Sequence, residues 1–183
     1  MKKQINELIF VTSHERKAQE LSLHLDFPVT HHNIDLPEIQ SLDVSEVAAY
    51  KAEQAFEIIR KPLIVEDVGF RIEALGRLPG PFIKWFLTEL SVEGVCGLLK
   101  GEQNRVAYVE CAFAIHDGNS VQTFVATKKG TVPSEPKGET GFGTDNIFIP
   151  DGHTKTWGEM TMDEQINTSV RRLALRKLKE FLE

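Results

Sequence analysis

The sequence predicts an α/β fold, in which short buried strands alternate with amphipathic helices. Three observations indicate this class. An apolar, β-prone run at residues 8–12 (LIFVT) precedes a helical pattern, a second helical pattern precedes the apolar run at residues 62–65 (PLIV), and two longer β-prone runs follow. The 183 residues, 41% of them hydrophobic and 26% charged, suit one domain over residues 1–183 with room for two lobes.

The first part of the chain alternates strands and helices. After the first strand, Ser13 offers an N-cap, and apolar residues at helical spacing predict a helix to residue 25. A short strand is predicted at residues 28–32, with an adjacent histidine pair at its end. Ser45 is predicted to cap the next helix, which runs to residue 59. The strand at residues 63–65 then ends at two adjacent acids.

The period of the sequence changes in the second part of the chain. Two helical segments are followed by two β-prone segments that the turn sequence DGNS joins as a hairpin. A Gly- and Pro-rich loop, a short strand and a helix with a capping box at Thr161 and Glu164 complete the chain. The predicted elements are helices at residues 82–90 and 92–99, strands at 105–116 and 121–127, a loop at 132–144, a strand at 147–149 and a helix from 161.

Charge and composition exclude several classes of protein. The net charge of −6 provides no general surface for polymeric nucleic acid or an anionic membrane. No apolar run approaches the roughly 18 residues that span a bilayer, and the apolar run near the N-terminus is too short for a signal peptide. Cys96 and Cys111 fit neither a zinc motif nor a disulfide framework, which indicates buried thiols in a reducing compartment, with a reactive thiol as the alternative. We therefore expect a cytoplasmic protein without a nucleic-acid or membrane partner.

Three acids are candidate metal ligands. Glu66 and Asp67 follow the strand at residues 63–65, and acids at such strand ends lie where α/β folds bind ligands. Consecutive strand residues point to opposite faces, but a chain that turns at the strand end can bring both carboxylates to one site. Carboxylate oxygens suit Mg²⁺, and Glu38 in the loop NIDLPEIQ could add a third group. A solvated turn for the pair and an exposed loop acid for Glu38 are the plain alternatives.

Two lysines and a turn are candidate phosphate ligands. The turn at Thr12 and Ser13 leads into a helix N-terminus, whose free N–H groups bind anions, and Lys17 follows one turn later. The glycines of a Walker A loop are missing, and an ordinary cap is the alternative for Ser13. Lys51 interrupts the apolar face of its helix, so its side chain either extends along the surface to solvent or reaches a buried anion.

A second group of residues could hold an aromatic base. The segment Phe142-Gly143-Thr144-Asp145 offers a ring for stacking and a carboxylate that accepts from ring N–H groups, although a tight loop would look the same. Either Arg171 or Arg172 in the last helix could face a pocket.

Five motifs, taken in order, resemble the inosine triphosphate pyrophosphatase family over nearly the whole chain. They are FVTS…K, IDLPEIQ, VEDVGF…ALGRLPGPFIKWF, FGTD…FIPDG and EMTMDEQ…S-R…AL…L. The third motif is the most specific of them. The resemblance implies an elongated α/β fold with a long mixed β-sheet flanked by helices, and two lobes with a central nucleotide cleft. It also implies Mg²⁺-dependent hydrolysis of ITP, dITP or XTP to a nucleoside monophosphate and pyrophosphate, commonly by a homodimer.

The same resemblance assigns roles to residues of this chain. Metal binding and water activation fall to the three acids, with Glu66 and Asp67 as the catalytic pair. Phosphate binding and base binding fall to two further groups. The phosphate group is Thr12, Ser13, His14, Lys17 and Lys51, and the base group is Phe142, Thr144, Asp145, Gln165 and Arg171.

The chain departs from the family pattern mainly around the base. Thr144-Asp145-Asn146 replaces an aromatic-Asp-Pro, Gln165 replaces a lysine, and Ser169-Val170-Arg171 replaces Ser-His-Arg, while His14 replaces an asparagine at the phosphate end. Lost donors to the purine 6-oxo group would weaken base discrimination by a few kcal/mol. The leading hypothesis is therefore a Mg²⁺-dependent pyrophosphatase with altered base specificity. The alternative is a catalytically weakened, non-hydrolysing nucleotide-binding protein of the same fold.

Overall fold

Strands and helices alternate through the first third of the protein, as the sequence predicts. The computed structural model describes residues 7–13 and 15–183. Seven strands lie within these residues: β1 Leu8–Val11, β2 Val29–His32, β3 Leu63–Ile72, β4 Pro79–Gly80, β5 Val106–His116, β6 Val121–Thr131 and β7 Ile149–Pro150. Five helices accompany them in the described chain: α1 Glu15–Leu25, α2 Val44–Ile59, α3 Ile83–Gly97, α4 Met162–Thr168 and α5 Val170–Leu182.

The strands form one mixed sheet. Its order is β2-β1-β3-β5-β6-β7, and β4 pairs with β3 off this path. β1 is parallel to both β2 and β3, whereas β4 is antiparallel to β3 and β7 is antiparallel to β6. The α/β class and the mixed sheet are confirmed.

The chain divides into two compact units. The first contains the described residues up to Asp67, together with Cys111–Val125 and Leu173–Glu183, and the second contains Val68–Glu110 and Ala126–Arg172. In the first unit, α2 packs on the sheet through a core of small and branched side chains: Ile9, Val11, Val44, Ala48, Ala52, Ala55, Leu63, Val65, Ala112 and Ala114. In the second unit, the ring of Phe148 lies 6.0 Å from that of Phe70 and 4.6 Å from that of Trp157.

The strand that carries the two acids is longer than predicted. We expected it to end at Val65, but β3 continues to Ile72. The reason is a change of partner: β1 pairs with β3 only as far as Val65, and β4 then supplies a new partner at Phe70 and Arg71. Glu66 and Asp67 therefore lie inside a strand, just beyond the end of its parallel neighbour.

Other boundaries differ for local reasons. α2 is capped by Asp43 rather than Ser45, because Asp43 Oδ1 accepts from Ser45 N at 2.8 Å and from Ser45 Oγ at 2.6 Å. The predicted strand at residues 147–149 is instead a 3₁₀ turn, Asp145–Ile147, followed by β7. The predicted separation of two helices near residue 91 is confirmed, since Ser91 has φ 60° and ψ 179° within α3.

The predicted last helix is two helices. Its capping box at Thr161 and Glu164 is present, but Ser169 adopts an extended conformation between α4 and α5. The Thr168 hydroxyl donates to Glu164 O and accepts from Trp157 Nε1, and the Arg172 N–H donates to Ser169 Oγ. The bonds of Thr168 lie at the end of α4, and the bond to Ser169 lies at the start of α5. Among the described residues, none of the helices combines the length and apolarity that crossing a membrane requires.

Candidate active site

Lys51 on α2 holds two carboxylates together. Its Nζ donates to Glu38 Oε1 at 3.0 Å and to Asp67 Oδ1 at 3.2 Å, and it lies 3.5 Å from the main-chain oxygen of Glu66. The Lys51 side chain is only 16% exposed and that of Asp67 only 11%, whereas Glu38 is 55% exposed. Of the two alternatives for this lysine, the structure therefore shows the one in which it reaches a buried anion.

The face of α2 explains how a lysine reaches this position. Its neighbours on the helix, Ala48, Ala52 and Ala55, are fully buried and have almost no side-chain bulk. Small residues let the helix lie close to the sheet. The four-carbon stem of Lys51 can then pass beside the helix to Asp67 on β3 while its ammonium group is paired.

Glu66 has different partners from Asp67. Its side chain is 5% exposed, and its Oε2 lies 3.5 Å from Nζ of Lys17 on α1. The Cys111 thiol on β5 donates to Glu66 Oε1 at 3.7 Å, which is a weak contact. Because β3 continues through both acids, the pair keeps the alternation of a strand: Glu66 contacts α1 and β5, and Asp67 contacts α2. The expected turn that would bring both side chains to one point is absent here.

Burial and neighbouring charges shift the pKa values of Asp67 and Lys51. Burial raises the pKa of Asp67 to about 6 from an ordinary 3.8; the Lys51 ammonium group lowers it in part, and Glu38 and Glu66 add to the rise. Burial alone would lower the pKa of Lys51, but attraction to Asp67 and Glu38 outweighs it, and the pKa is raised. Lys51 therefore remains charged at neutral pH, while Asp67 can gain or lose a proton near it.

The donor atoms fit a hard cation. Asp67 Oδ2 is buried and accepts no hydrogen bond from any residue that the structure describes. A bare buried carboxylate oxygen is costly without a positive partner, and Mg²⁺ takes such oxygens together with water and phosphate. Within residues 7–13 and 15–183, no three His, Cys, Asp or Glu side chains form a ready ligand cluster. A cation bound by Glu38 and Asp67 would therefore contact carboxylates that Lys51 also contacts.

The candidate phosphate turn lies where β1 ends and α1 begins. Thr12 N donates to His32 O at 3.1 Å, Ser13 is exposed, and α1 begins at Glu15. The predicted phosphate residue His14 lies outside the described residues. Lys17, near the start of α1, is 37% exposed and pairs with Glu66. This ion pair connects the helix that follows the turn to one of the two acids on β3.

The candidate base residues all lie in the second unit. Phe142 is 81% exposed, and its N–H donates to Asp145 Oδ2 at 2.7 Å. Burial raises the pKa of Asp145, although this bond opposes the rise. Gly141 has φ 105°, and a Cβ added there would lie 2.5 Å from Asp145 Cβ, so this position requires glycine. The loop that presents Phe142 and Asp145 is thus closely built, with Thr144 half-buried at its end.

Two residues near the predicted base site make structural contacts within the protein. The Gln165 amide group donates to Trp157 O at 2.6 Å, which links α4 to the preceding turn. Val170, at the position where the family pattern has histidine, is 6% exposed and packs in the core. Arg171 is half-buried at the start of α5.

Sequence reasoning missed two side chains in the first unit. Cys111 was predicted only to be buried, and it contacts Glu66 from 45 positions away. His31 was predicted to mark a strand end, and its Nε2 lies 2.6 Å from the main-chain oxygen of Thr12. Neither contact follows from spacing along the chain, because each depends on which strands become neighbours.

Known proteins resemble this chain over nearly its full length. The sequence model of the Ham1 family matches residues 8–181. The chain is 36% identical over 176 residues to the dITP/XTP pyrophosphatase of Saccharolobus solfataricus, covering 94% of this chain and 92% of that protein. It is also 36% identical over 183 residues to the inosine triphosphate pyrophosphatase of Schizosaccharomyces pombe, covering 98% and 96%. The expected resemblance is confirmed.

Solved structures share the fold. A HAM1 protein from Coxiella burnetii superposes with a TM-score of 0.85 at 24% identity, covering 96% of this chain and 98% of that one. The Ham1 protein of Staphylococcus aureus gives a TM-score of 0.84 at 23% identity, covering 96% and 97%. At such identities the similarity establishes the architecture.

We expect Asp67→Asn to gain stability relative to the unsubstituted protein as the pH rises from 4 to 7 in metal-free buffer. Between pH 3.8 and about 6, the folded protein keeps a proton on Asp67 that the unfolded chain has lost. The free energy of unfolding therefore falls as the pH rises through this window, by about 3 kcal/mol in all. Asparagine does not titrate, so urea unfolding at several pH values should show the difference growing by about 2–3 kcal/mol.

Asp35→Asn is the matched control, because Asp35 is an exposed acid in the loop before Glu38. The difference in the free energy of unfolding between Asp35→Asn and the unsubstituted protein should change much less with pH than the difference for Asp67→Asn. A constant difference for Asp67→Asn as well would show that burial does not perturb this carboxyl group.

Proposed function

Because this chain belongs to the Ham1 family, we propose that it is a nucleoside triphosphate pyrophosphatase that acts on deaminated purine nucleotides such as ITP, dITP and XTP. The products would be a nucleoside monophosphate and pyrophosphate, so the bond between the α- and β-phosphates breaks. The observation that carries the proposal is the group formed by Lys51, Asp67 and Glu38, where a buried cation and two acids meet. Relatives of similar length carry the names of such enzymes.

Lysines and acids of the first unit would share the work at the phosphates. Lys51 and Lys17 supply positive charge beside the acids, in a chain whose net charge is −6, and charge-assisted bonds to phosphate oxygens are strong. Ser13 would add its main-chain N–H, and the hydroxyl groups of Thr12 and Ser13 would be further donors. Asp67, with a pKa near 6, is suited to take a proton from the attacking water at neutral pH, and Glu66 is the second candidate for this role.

We propose Mg²⁺ as the cofactor, held by Asp67 and Glu38 with Glu66 as a further candidate. The support is the buried Asp67 Oδ2, which lacks a hydrogen-bond donor among the described residues, and the oxygen-only donor set. When bound, the ion would neutralise triphosphate charge and orient a water molecule. Lys51 would then shift part of its contact from the acids to the phosphates.

We propose that base discrimination is weaker in this chain than in relatives with a lysine at position 165. The Gln165 amide group already donates to Trp157 O, and Val170 is buried in the core. Phe142, Asp145, Thr144 and Arg171 remain as candidates for stacking on and hydrogen bonding to the base. A purine 6-oxo group would then meet fewer donors, which lowers the penalty for a 6-amino purine.

A homodimer in the cytoplasm completes the proposal. Three apolar side chains in the second unit, Leu78, Trp85 and Leu90, are 42%, 58% and 40% exposed. Contiguous exposed apolar patches mark protein contacts, and we propose these three side chains as parts of such a patch. They are the candidate contact surface between two copies of the chain.

We expect purified protein with Mg²⁺ to release one pyrophosphate per nucleotide from ITP, dITP and XTP. Asp67→Asn should lower kcat by about 100-fold or more, because it removes both a proton acceptor and a metal ligand. Asp35→Asn should retain full activity, and EDTA should abolish turnover. The measurement is pyrophosphate release from a panel that also includes ATP and GTP.

No turnover of any nucleotide in this panel would reject the proposed activity. Calorimetric binding of ITP without hydrolysis would then favour a nucleotide-binding protein that has lost catalysis.

We expect Gln165→Lys to raise the ratio of kcat/KM for ITP to that for ATP by about tenfold. The lysine ammonium group can donate to the 6-oxo group of ITP, whereas the 6-amino group of ATP is itself a donor and cannot pair with it. Gln122→Lys, at an exposed position of β6, is the control for added charge. An unchanged ratio in Gln165→Lys would show that this position does not contact the base.

A further inference from the structure

The imidazole ring of His31 binds the main chain of the candidate phosphate turn. His31 lies half-buried on β2, and its Nε2 is 2.6 Å from the carbonyl oxygen of Thr12. A carbonyl oxygen only accepts hydrogen bonds, so Nε2 carries the proton and donates it. This bond connects the edge strand of the sheet to the last residue before the Ser13 turn.

A second bond holds Thr12 from the other side. The parallel pairing of β1 and β2 brings Val11 opposite His32, and Thr12 N then donates to His32 O at 3.1 Å. Both main-chain polar groups of Thr12 therefore bind β2, one through the backbone of His32 and one through the side chain of His31. Adjacent residues of one strand thus hold the peptide planes on both sides of Thr12.

Peptide geometry carries this constraint to Ser13. The carbonyl of Thr12 and the N–H of Ser13 belong to one planar trans peptide, in which they point in opposite directions. Holding the carbonyl against β2 therefore directs the Ser13 N–H away from β2. This N–H belongs to the turn that enters α1, and main-chain N–H groups in such turns bind phosphate oxygens.

We propose that His31 is a positioning residue for phosphate binding: its Nε2–H holds the Thr12 carbonyl so that the Ser13 N–H faces the triphosphate. The inference rests on the proposed function, since it assumes that this turn binds phosphate. His31 itself would not touch the nucleotide. Its effect should therefore appear mainly in KM, because a main-chain contact to phosphate is made in both the ground state and the transition state.

Two substitutions separate the hydrogen bond from the shape of the side chain. His31→Phe keeps a ring but removes the donor, whereas His31→Gln keeps an N–H at a similar distance from the backbone. His32→Phe is the matched control, because His32 is the next residue on β2 and its side chain is exposed. We expect His31→Phe to raise KM for ITP about 3- to 10-fold with kcat within about twofold, as the loss of one neutral hydrogen bond implies.

His31→Gln should bring KM back to within about twofold of the unsubstituted protein, and His32→Phe should leave it unchanged. Calorimetry with Mg²⁺ and inorganic pyrophosphate should rank the affinities of these variants in the same order, and this measurement does not require turnover. Nitrogen NMR of the unsubstituted protein should find the neutral His31 ring protonated at Nε2.

Several results would overturn the role of His31. They are a ring protonated only at Nδ1, KM and pyrophosphate affinity that His31→Phe leaves unchanged, or equal losses in His31→Phe and His31→Gln. A protein that hydrolyses no nucleotide would instead reject the proposed function, and pyrophosphate binding and NMR would still decide the role of His31.

Discussion

The ammonium group of Lys51, held between Asp67 and Glu38, is the interaction on which the layout of the candidate site depends. Burial raises the pKa of Asp67, and the neighbouring carboxylates Glu38 and Glu66 add to this rise. The lysine offsets part of this rise and ties α2, β3 and the loop containing Glu38 to one point. Buried ion pairs are often no more stabilising than apolar packing, so their presence at this place is better explained by chemistry than by stability.

The continuity of β3 then divides the charges into two pairs. Since β1 ends opposite Val65, the next two residues lie beyond the parallel neighbour yet remain in a strand. Glu66 meets Lys17 from α1, and Asp67 meets Lys51 from α2. One short segment of β3 thus presents two acids, and each acid meets a lysine from a different helix. This arrangement suits a substrate that carries several phosphate charges and a reaction that needs a proton acceptor.

The sequence could predict what depends on local pattern. The class of fold, the strand–turn–helix at Ser13, the hairpin and the break near Ser91 all follow from period, composition and caps. The choice between two alternatives for Lys51 required the structure, because its partner Asp67 is 16 positions away. The extension of β3 depended on β4 as a partner, and the division at Ser169 depended on side chains of Trp157 and Thr168. The bond from His31 to Thr12 likewise arises only when β2 and β1 pair.

We infer that Lys51 and Asp67 act as one charged unit. A double-mutant cycle of Lys51→Met and Asp67→Asn, followed by urea unfolding at pH 7 in metal-free buffer, measures the coupling between the two groups. We expect the double variant to be more stable than the sum of the single effects by about 1–3 kcal/mol, because each single variant leaves one buried charge without its partner and the double variant leaves none. Single effects that add to within about 0.3 kcal/mol would show instead that the two groups act independently and form no charged unit.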